Sequence, residues 1–147
     1  MQLISSHICL TKDLGVHSNM FGGTLLSYLD QAGGVLAAQA CETPRMVTVK
    51  MDEVEFLLPV RSGNIIKIYG EVTVFGNTSV TLRLEARKES AYTREQKLVC
   101  STNIKFVRID EDGDPVPISE RARIEKKTSV TTKDRLEEIQ EWRNSLK

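Results

Sequence analysis

The chain has 147 residues, 20 of them basic and 20 acidic, for a formal net charge of zero, with 40% hydrophobic and 27% charged residues. Those values fit one soluble globular domain, and the balanced charge leaves no global basic field to gather nucleic acid or an anionic membrane. No apolar run is long enough to span a bilayer, and the segment from Met1 to His7 lacks the basic start and apolar core of a signal peptide.

The expected partners therefore include no nucleic acid and no membrane, and the expected location is the cytoplasm. Cys9, Cys41 and Cys100 are odd in number and lack metal-ligand spacing, so they read as reduced core residues. Neither a metal nor a cofactor is expected.

In chain order, Leu3 to Thr11 reads as a strand with Ile4, Ser6, Ile8 and Leu10 on one face. Asp13 to Asn19 is rich in turn formers and reads as loop. A helix is predicted from about Phe21–Gly23 to Ala40, where Leu25, Leu26, Leu29, Leu36 and Ala40 recur at helical spacing around a face that includes Gly33 and Ala37. Glu42-Thr43-Pro44 stops it. Gly33, Gly34, Ala37 and Ala38 would let another backbone or a ligand come close. Asp30 follows Leu29 at the edge of the apolar stripe. A carboxylate on a buried helix is costly without a partner or a task, which makes Asp30 the first functional candidate.

Four strand-like runs follow: Met46 to Leu58, Ile65 to Phe75, Ser79 to Arg87 and Lys97 to Arg108. In the first, the apolar parity changes near Asp52-Glu53, predicting a bulge. In the second, Ile66, Ile68, Val72 and Val74 are expected to share one face. Gly76-Asn77 reads as a tight turn into the third. Such two-sided alternation predicts an antiparallel sheet with one wet face. The acidic turn Asp110 to Pro115 has spacing faintly like a calcium loop, but Pro115 and Pro117 break the pattern and Arg121 stands at the twelfth position, so no metal site is expected there. From Ser119 the chain is charged. Leu136, Ile139, Trp142 and Leu146 form a thin apolar stripe, with Thr131 or Thr132 as N-cap, predicting a C-terminal helix.

The fold class expected is α+β: a curved antiparallel sheet of about five strands wrapped around a long central helix, plus a C-terminal helix. The domain reading is 1–118 for the body and 119–147 for a charged helical extension. The open sheet edge and the small-residue helix favour a dimer.

Three stretches carry chemistry. The first is Phe21-Gly22-Gly23 followed by Leu26 and Asp30. The second is Phe56-Leu57-Leu58-Pro59-Val60-Arg61-Ser62-Gly63-Asn64. The third is Gly76-Asn77-Thr78-Ser79. In this order and spacing they resemble the F-G-G-x-x-(L/M)-x-x-x-D, F-x-x-P-V-x-x-G-D and G-x-T-S elements of the acyl-CoA thioesterase (acyl-CoA hydrolase) branch of the hot-dog fold, over about residues 5–109. The resemblance implies hydrolysis of a fatty acyl-CoA to free acid and CoA. It also implies a pantetheine arm lying between subunits of a homo-oligomer, with a dimer as minimal unit and a tetramer or hexamer as the expected assembly.

The family's upstream N-x-x-G is not kept: Gly15 stands at the Asn position and Ser18 at the Gly position. His17 and Asn19 are nearby substitutes on the same loop. Asn19 also reads as a helix N-cap or turn residue.

In chemical terms, thioester hydrolysis needs an activated water and donors for the developing oxyanion. Asp30 is the candidate base, and the amides of Gly22 and Gly23 at the helix start are candidate donors. The plainer reading of Asp30 is a bond to a nearby backbone group, or to a Ser or Thr across a subunit interface. Arg61, Thr78 and Ser79 are the candidates for binding CoA, with Lys67, Arg83, Arg87 and Lys88 as further phosphate partners. Two other functions stay open at this point: a non-catalytic acyl-CoA-binding or regulatory module, to which the missing Asn points, and a 3-hydroxyacyl thioester dehydratase pairing His17 with Asp30. No nucleophilic-Ser elbow, Walker loop or dinucleotide fingerprint is present.

Overall fold

The computed structural model describes residues 1–124; the expected terminal helix capped by Thr131 or Thr132 lies outside them. The alternating runs become five strands: β1 (Gln2–Ile8), β2 (Met46–Phe56), β3 (Ile65–Phe75), β4 (Ser79–Glu89) and β5 (Gln96–Arg108). They form one antiparallel sheet in the order β1-β3-β4-β5-β2. The helix α1 (Gly22–Cys41) lies on one face of it. Among the described residues no helix is long and apolar enough to cross a membrane.

One face of α1 is buried through Leu25, Leu29, Ala32, Gly33, Leu36, Ala37 and Ala40. It shares a single core with Ile66 and Ile68 of β3, Leu82 and Leu84 of β4, and Ile104 and Phe106 of β5. The small-residue face is filled by the chain's own sheet and not by an external backbone. A Cβ on Gly33 would stand 3.0 Å from both Leu84 Cδ1 and the Phe106 ring. The helix stops because Glu42 takes the left-handed conformation (φ 56°), its N–H returning to the Ala38 carbonyl. Pro44 then prevents resumption.

Bulges explain where the expected faces fail. In β2 the register slips between Asp52 and Glu55, with Glu53 at φ 49°, as the change of parity predicted. In β3 a slip between Val72 and Val74 turns Val74 outward, where it is 59% exposed; it does not share the inner face of Ile66 and Ile68. A third slip in β1, between Leu3 and Ser5, breaks its expected parity. Ile8 and Leu10 are exposed while Cys9 is buried. Beyond β5, Ile118 and Ala122 join the core, and residues 120–124 are helical.

The strand β2 ends the sheet: β5 pairs with one side of it, and no described strand pairs with the other. Val47 and Val49 are exposed along it.

Candidate active site

Phe21 is the N-cap of α1, in extended conformation (φ −63°, ψ 130°) and without a side-chain cap. The Thr24 and Leu25 N–H groups both donate to the Phe21 carbonyl, at 3.0 and 3.2 Å. The N–H groups of Gly22 and Gly23 find no acceptor among the described residues. They are the free first-turn donors of a 20-residue helix, at the positive end of its dipole. Phe56, at the end of β2, lies over Gly22: a Cβ there would sit 3.2 Å from its ring.

The lead-in loop is tightly held. Leu14 and Met20 form an antiparallel bridge. Inside it the Gly15 N–H donates to the Asn19 carbonyl at 2.7 Å, and Ser18 turns the chain at φ 61°. The Met20 N–H donates to the Val60 carbonyl at 2.7 Å and the Phe21 N–H to the Asp13 carbonyl at 2.8 Å. Asp13 is itself buried, and its Oδ2 accepts the Leu10 N–H at 2.9 Å. These bonds fix the backbone on both sides of Asn19. Asn19 is not the helix cap. Its side-chain Oδ1 is buried and has no hydrogen-bond partner among the described residues.

Asn19 and Gly22 line a cavity of about 390 Å³ whose other walls are Met20, Leu25, Phe56, Leu57, Leu58, Pro59 and Val60. Asn19 is the one polar residue in a lining that is otherwise glycine and apolar residues. Such a cavity accommodates an apolar thread carrying one or two polar atoms.

Asp30 sits on α1 at the margin of its buried face and is half-buried, not enclosed in the core. Its Oδ1 accepts a 2.6 Å hydrogen bond from Thr48 Oγ1 on β2. The hydroxyl partner is therefore on the same chain. Asp30 is eight residues along the helix from Gly22, about 12 Å at 1.5 Å per residue. Within one chain the carboxylate and the free glycine amides thus cannot reach the same carbonyl.

The remaining candidates separate. His17 is exposed on the loop and makes no bond among the described residues. Arg61 is exposed directly after Val60 of the cavity wall, its N–H donating to Asn64 Oδ1 at 2.9 Å in a turn where Gly63 takes φ 88°. Lys88 Nζ donates to the Pro59 carbonyl at 3.0 Å. Lys67 pairs with Glu89 at 3.3 Å, and Arg87 pairs with Glu85 at 2.7 Å while stacking on Tyr69. Arg83 also reaches Glu85, at 3.9 Å. These last three belong to a charged lattice on the outer sheet face. Thr78 and Ser79 lie in the β3–β4 hairpin. Ser79 is in register with Val107 of β5, which is in register with Val47 of β2. The hairpin is therefore at the Thr48 end of the sheet, two strands over, about 10 Å away.

The three cysteines are free and buried. Burial pushes the Cys41 and Cys100 thiols up to about 11, away from the thiolate a nucleophile needs.

Sequence reasoning missed Asp13 and Thr48; it named Phe56 in the second motif stretch but not its place over Gly22. Asp13 carried a signal, an acidic residue three positions into a turn that begins at Leu10. Thr48 carried none, because its partner on α1 lies far from it in sequence.

The family model of the thioesterase superfamily matches residues 17–94, just over half of the chain. The chain belongs to that superfamily, and its fold is the hot-dog fold. It is 34% identical over 106 residues to an uncharacterized acyl-CoA thioester hydrolase, YkhA, of Bacillus subtilis (strain 168), covering 72% of this chain. The matched part spans only 61% of that relative's length. It is 28% identical to the acyl-CoA thioester hydrolase YciA of Salmonella typhimurium over 80% of this chain and 90% of that one. A hexameric hotdog-fold thioesterase of Campylobacter jejuni superposes with a TM-score of 0.78 and 30% identity, covering 86% of this chain and 97% of that chain.

Proposed function

We propose that the chain is an acyl-CoA thioesterase: water, activated by Asp30, attacks the thioester carbonyl, and the helix-start amides of Gly22 and Gly23 hold the oxyanion. The tetrahedral intermediate collapses with CoA leaving as thiol and the acyl group as free acid. The observation that carries this reading is the pairing on one helix of two free glycine amides, Gly22 being on the wall of an apolar cavity, with a carboxylate oriented by Thr48. General-base and oxyanion chemistry need those two elements. The relatives named as acyl-CoA thioester hydrolases support the substrate class.

The 12 Å rise between Gly22 and Asp30 argues for a site shared by two copies. The free edge of β2, with exposed Val47 and Val49, is the pairing surface. Antiparallel pairing of β2 with β2 of a second copy sets the start of one strand against the end of the other. Thr48 and Asp30 of one copy then approach Phe56 and the Gly22 helix start of the other. A dimer is the minimal unit in this reading, and a tetramer or hexamer would assemble from it; the similar Campylobacter jejuni thioesterase is hexameric.

Arg61 beside the cavity is the phosphate contact of choice, being exposed and outside the ion-pair lattice. Thr78 and Ser79, at the Thr48 end of the sheet, line the ligand path from the neighbouring copy. His17 serves to orient water at the loop. Three free, buried cysteines fit a reducing cytoplasmic setting. Thiol release measured over short-, medium- and long-chain acyl-CoAs tests the activity, with Asp30→Ala as the inactive control. Tight CoA binding without thiol release at any chain length would instead make the chain a binding module, the reading that Gly15 favours. A change in enoyl absorbance would make it a dehydratase.

A further inference from the structure

The cavity beside the helix start has a closed end and an open end. Met20, Leu25 and Val60, on its lining, are 8%, 3% and 2% exposed, and all three belong to the single core. Phe56 and Leu57, on the same lining, are 53% and 48% exposed. The first three are the floor, with packed core behind them, and the other two are a rim toward solvent. The floor is pinned by backbone as well as by packing. The Met20 N–H donates to the Val60 carbonyl at 2.7 Å, and Met20 is bridged to Leu14. A close-packed interior admits a longer guest only at a cost.

Resting on the thioesterase reading, the acyl chain is the part of the substrate that suits this cavity. Gly22, at the helix start that receives the carbonyl in that reading, is on its wall, and Met20 is two residues before it. Seven of the nine lining residues have apolar side chains. A pantetheine arm brings two amides, each of which needs a polar partner when buried. An alkyl chain brings none.

We propose that the cavity takes the acyl chain and that Met20, with Leu25 and Val60, sets the longest chain accepted. Each methylene that enters leaves water and adds binding energy. A chain long enough to reach the floor gains nothing from further carbons, because only core lies beyond. Met20, unbranched and adaptable, is the floor position at which that limit is most readily moved. These three residues touch the acyl tail and not the reacting atoms, so they determine specificity.

The test uses the full chain and straight-chain acyl-CoAs from acetyl to palmitoyl, with kcat/KM read from thiol release. Wild type should climb by roughly fourfold per methylene, reach a maximum, and fall at longer chains. Met20→Ala removes Cγ, Sδ and Cε from the floor and should move the maximum to longer chains by about two or three carbons. Val60→Ala should move it the same way by a smaller step, and Met20→Phe should move it to shorter chains. Circular dichroism identifies a variant that fails to fold, and the remaining ones then carry the result. A wild-type profile with no maximum overturns the proposal. So does a folded variant whose maximum stays in place, or whose rates change equally at every length. If wild type releases no thiol from any acyl-CoA, the thioesterase reading falls separately. Dissociation constants for the same series, measured by calorimetry on wild type and variants, then decide the cavity alone: the same shifts in chain length support it, and an unshifted dependence overturns it.

Discussion

Thr48 Oγ1 donates a 2.6 Å hydrogen bond to Asp30 Oδ1, joining the start of the sheet's edge strand to the middle of the helix. The bond occupies one carboxylate oxygen and leaves the other for a water. Thr48→Val keeps the side-chain shape and removes the donor. A hydrogen bond to a charged group contributes about 1.5–3 kcal/mol, so kcat should fall by roughly tenfold or more, with KM little changed. Asp30→Asn should fall much further, by about 10²–10⁴-fold, the usual worth of a positioned general base. Steady-state thiol release on both variants checks the order. Equal rates for Thr48→Val and wild type would remove Thr48 from the site.

Two adjacent glycines of α1 should respond in opposite directions. A Cβ on Gly34 meets nothing closer than Phe106 Cε1 at 4.0 Å, so Gly34→Ala should gain the helix preference of about 1 kcal/mol. A Cβ on Gly33 meets Leu84 and Phe106 at 3.0 Å. Overpacking there costs about 1–3 kcal/mol, which outweighs the same gain. Thermal unfolding should show a raised Tm for Gly34→Ala and a lowered one for Gly33→Ala.

The exposed edge of β2 should govern assembly. Val49 is 53% exposed on a strand whose outer side has no partner among the described residues. Val49→Asp places a charge on that edge. Sedimentation should show the oligomer dissociating, and thiol release should fall with it, because the proposed site draws on two copies. Full activity in a monomeric variant would show that one chain suffices.

His7 should make stability depend on pH. It stacks on Tyr28 at 4.2 Å between ring centres. Burial lowers its pKa below the ordinary 6.5, with the nearby Asp13 charge opposing the change. The unfolded chain therefore binds a proton on this residue at a higher pH than the folded chain. Stability should decline as pH falls below about 6.5 and level off once the folded form is also protonated. Tm measured between pH 7.5 and 5 should show that decline, and His7→Phe should flatten it.

Much of the fold was legible because it is written in local periodicity. The stripe of Leu25, Leu29 and Leu36 marked α1, and the parity change at Asp52-Glu53 marked a real bulge. The exposure of Ile8, Leu10 and Val74 was not legible, because the slips near Ser5 and Val72 arise from pairing with other strands. At the site, Gly22, Gly23 and Asp30 lie on one short segment and could be found together. The role of Asn19 could not, since a cap and an orphaned acceptor look alike until the loop is folded.

By itself, then, the sequence determined the five strands, the apolar helix with its free glycine start, and the carboxylate eight residues further on. All of these depend on neighbours within a few turns. Only the tertiary structure decided that Thr48 holds Asp30, that Phe56 covers Gly22, and that Asn19 Oδ1 is left without a donor. Contacts between distant segments depend on where the left-handed cap at Glu42 and the strand order send the chain, and no local pattern encodes that.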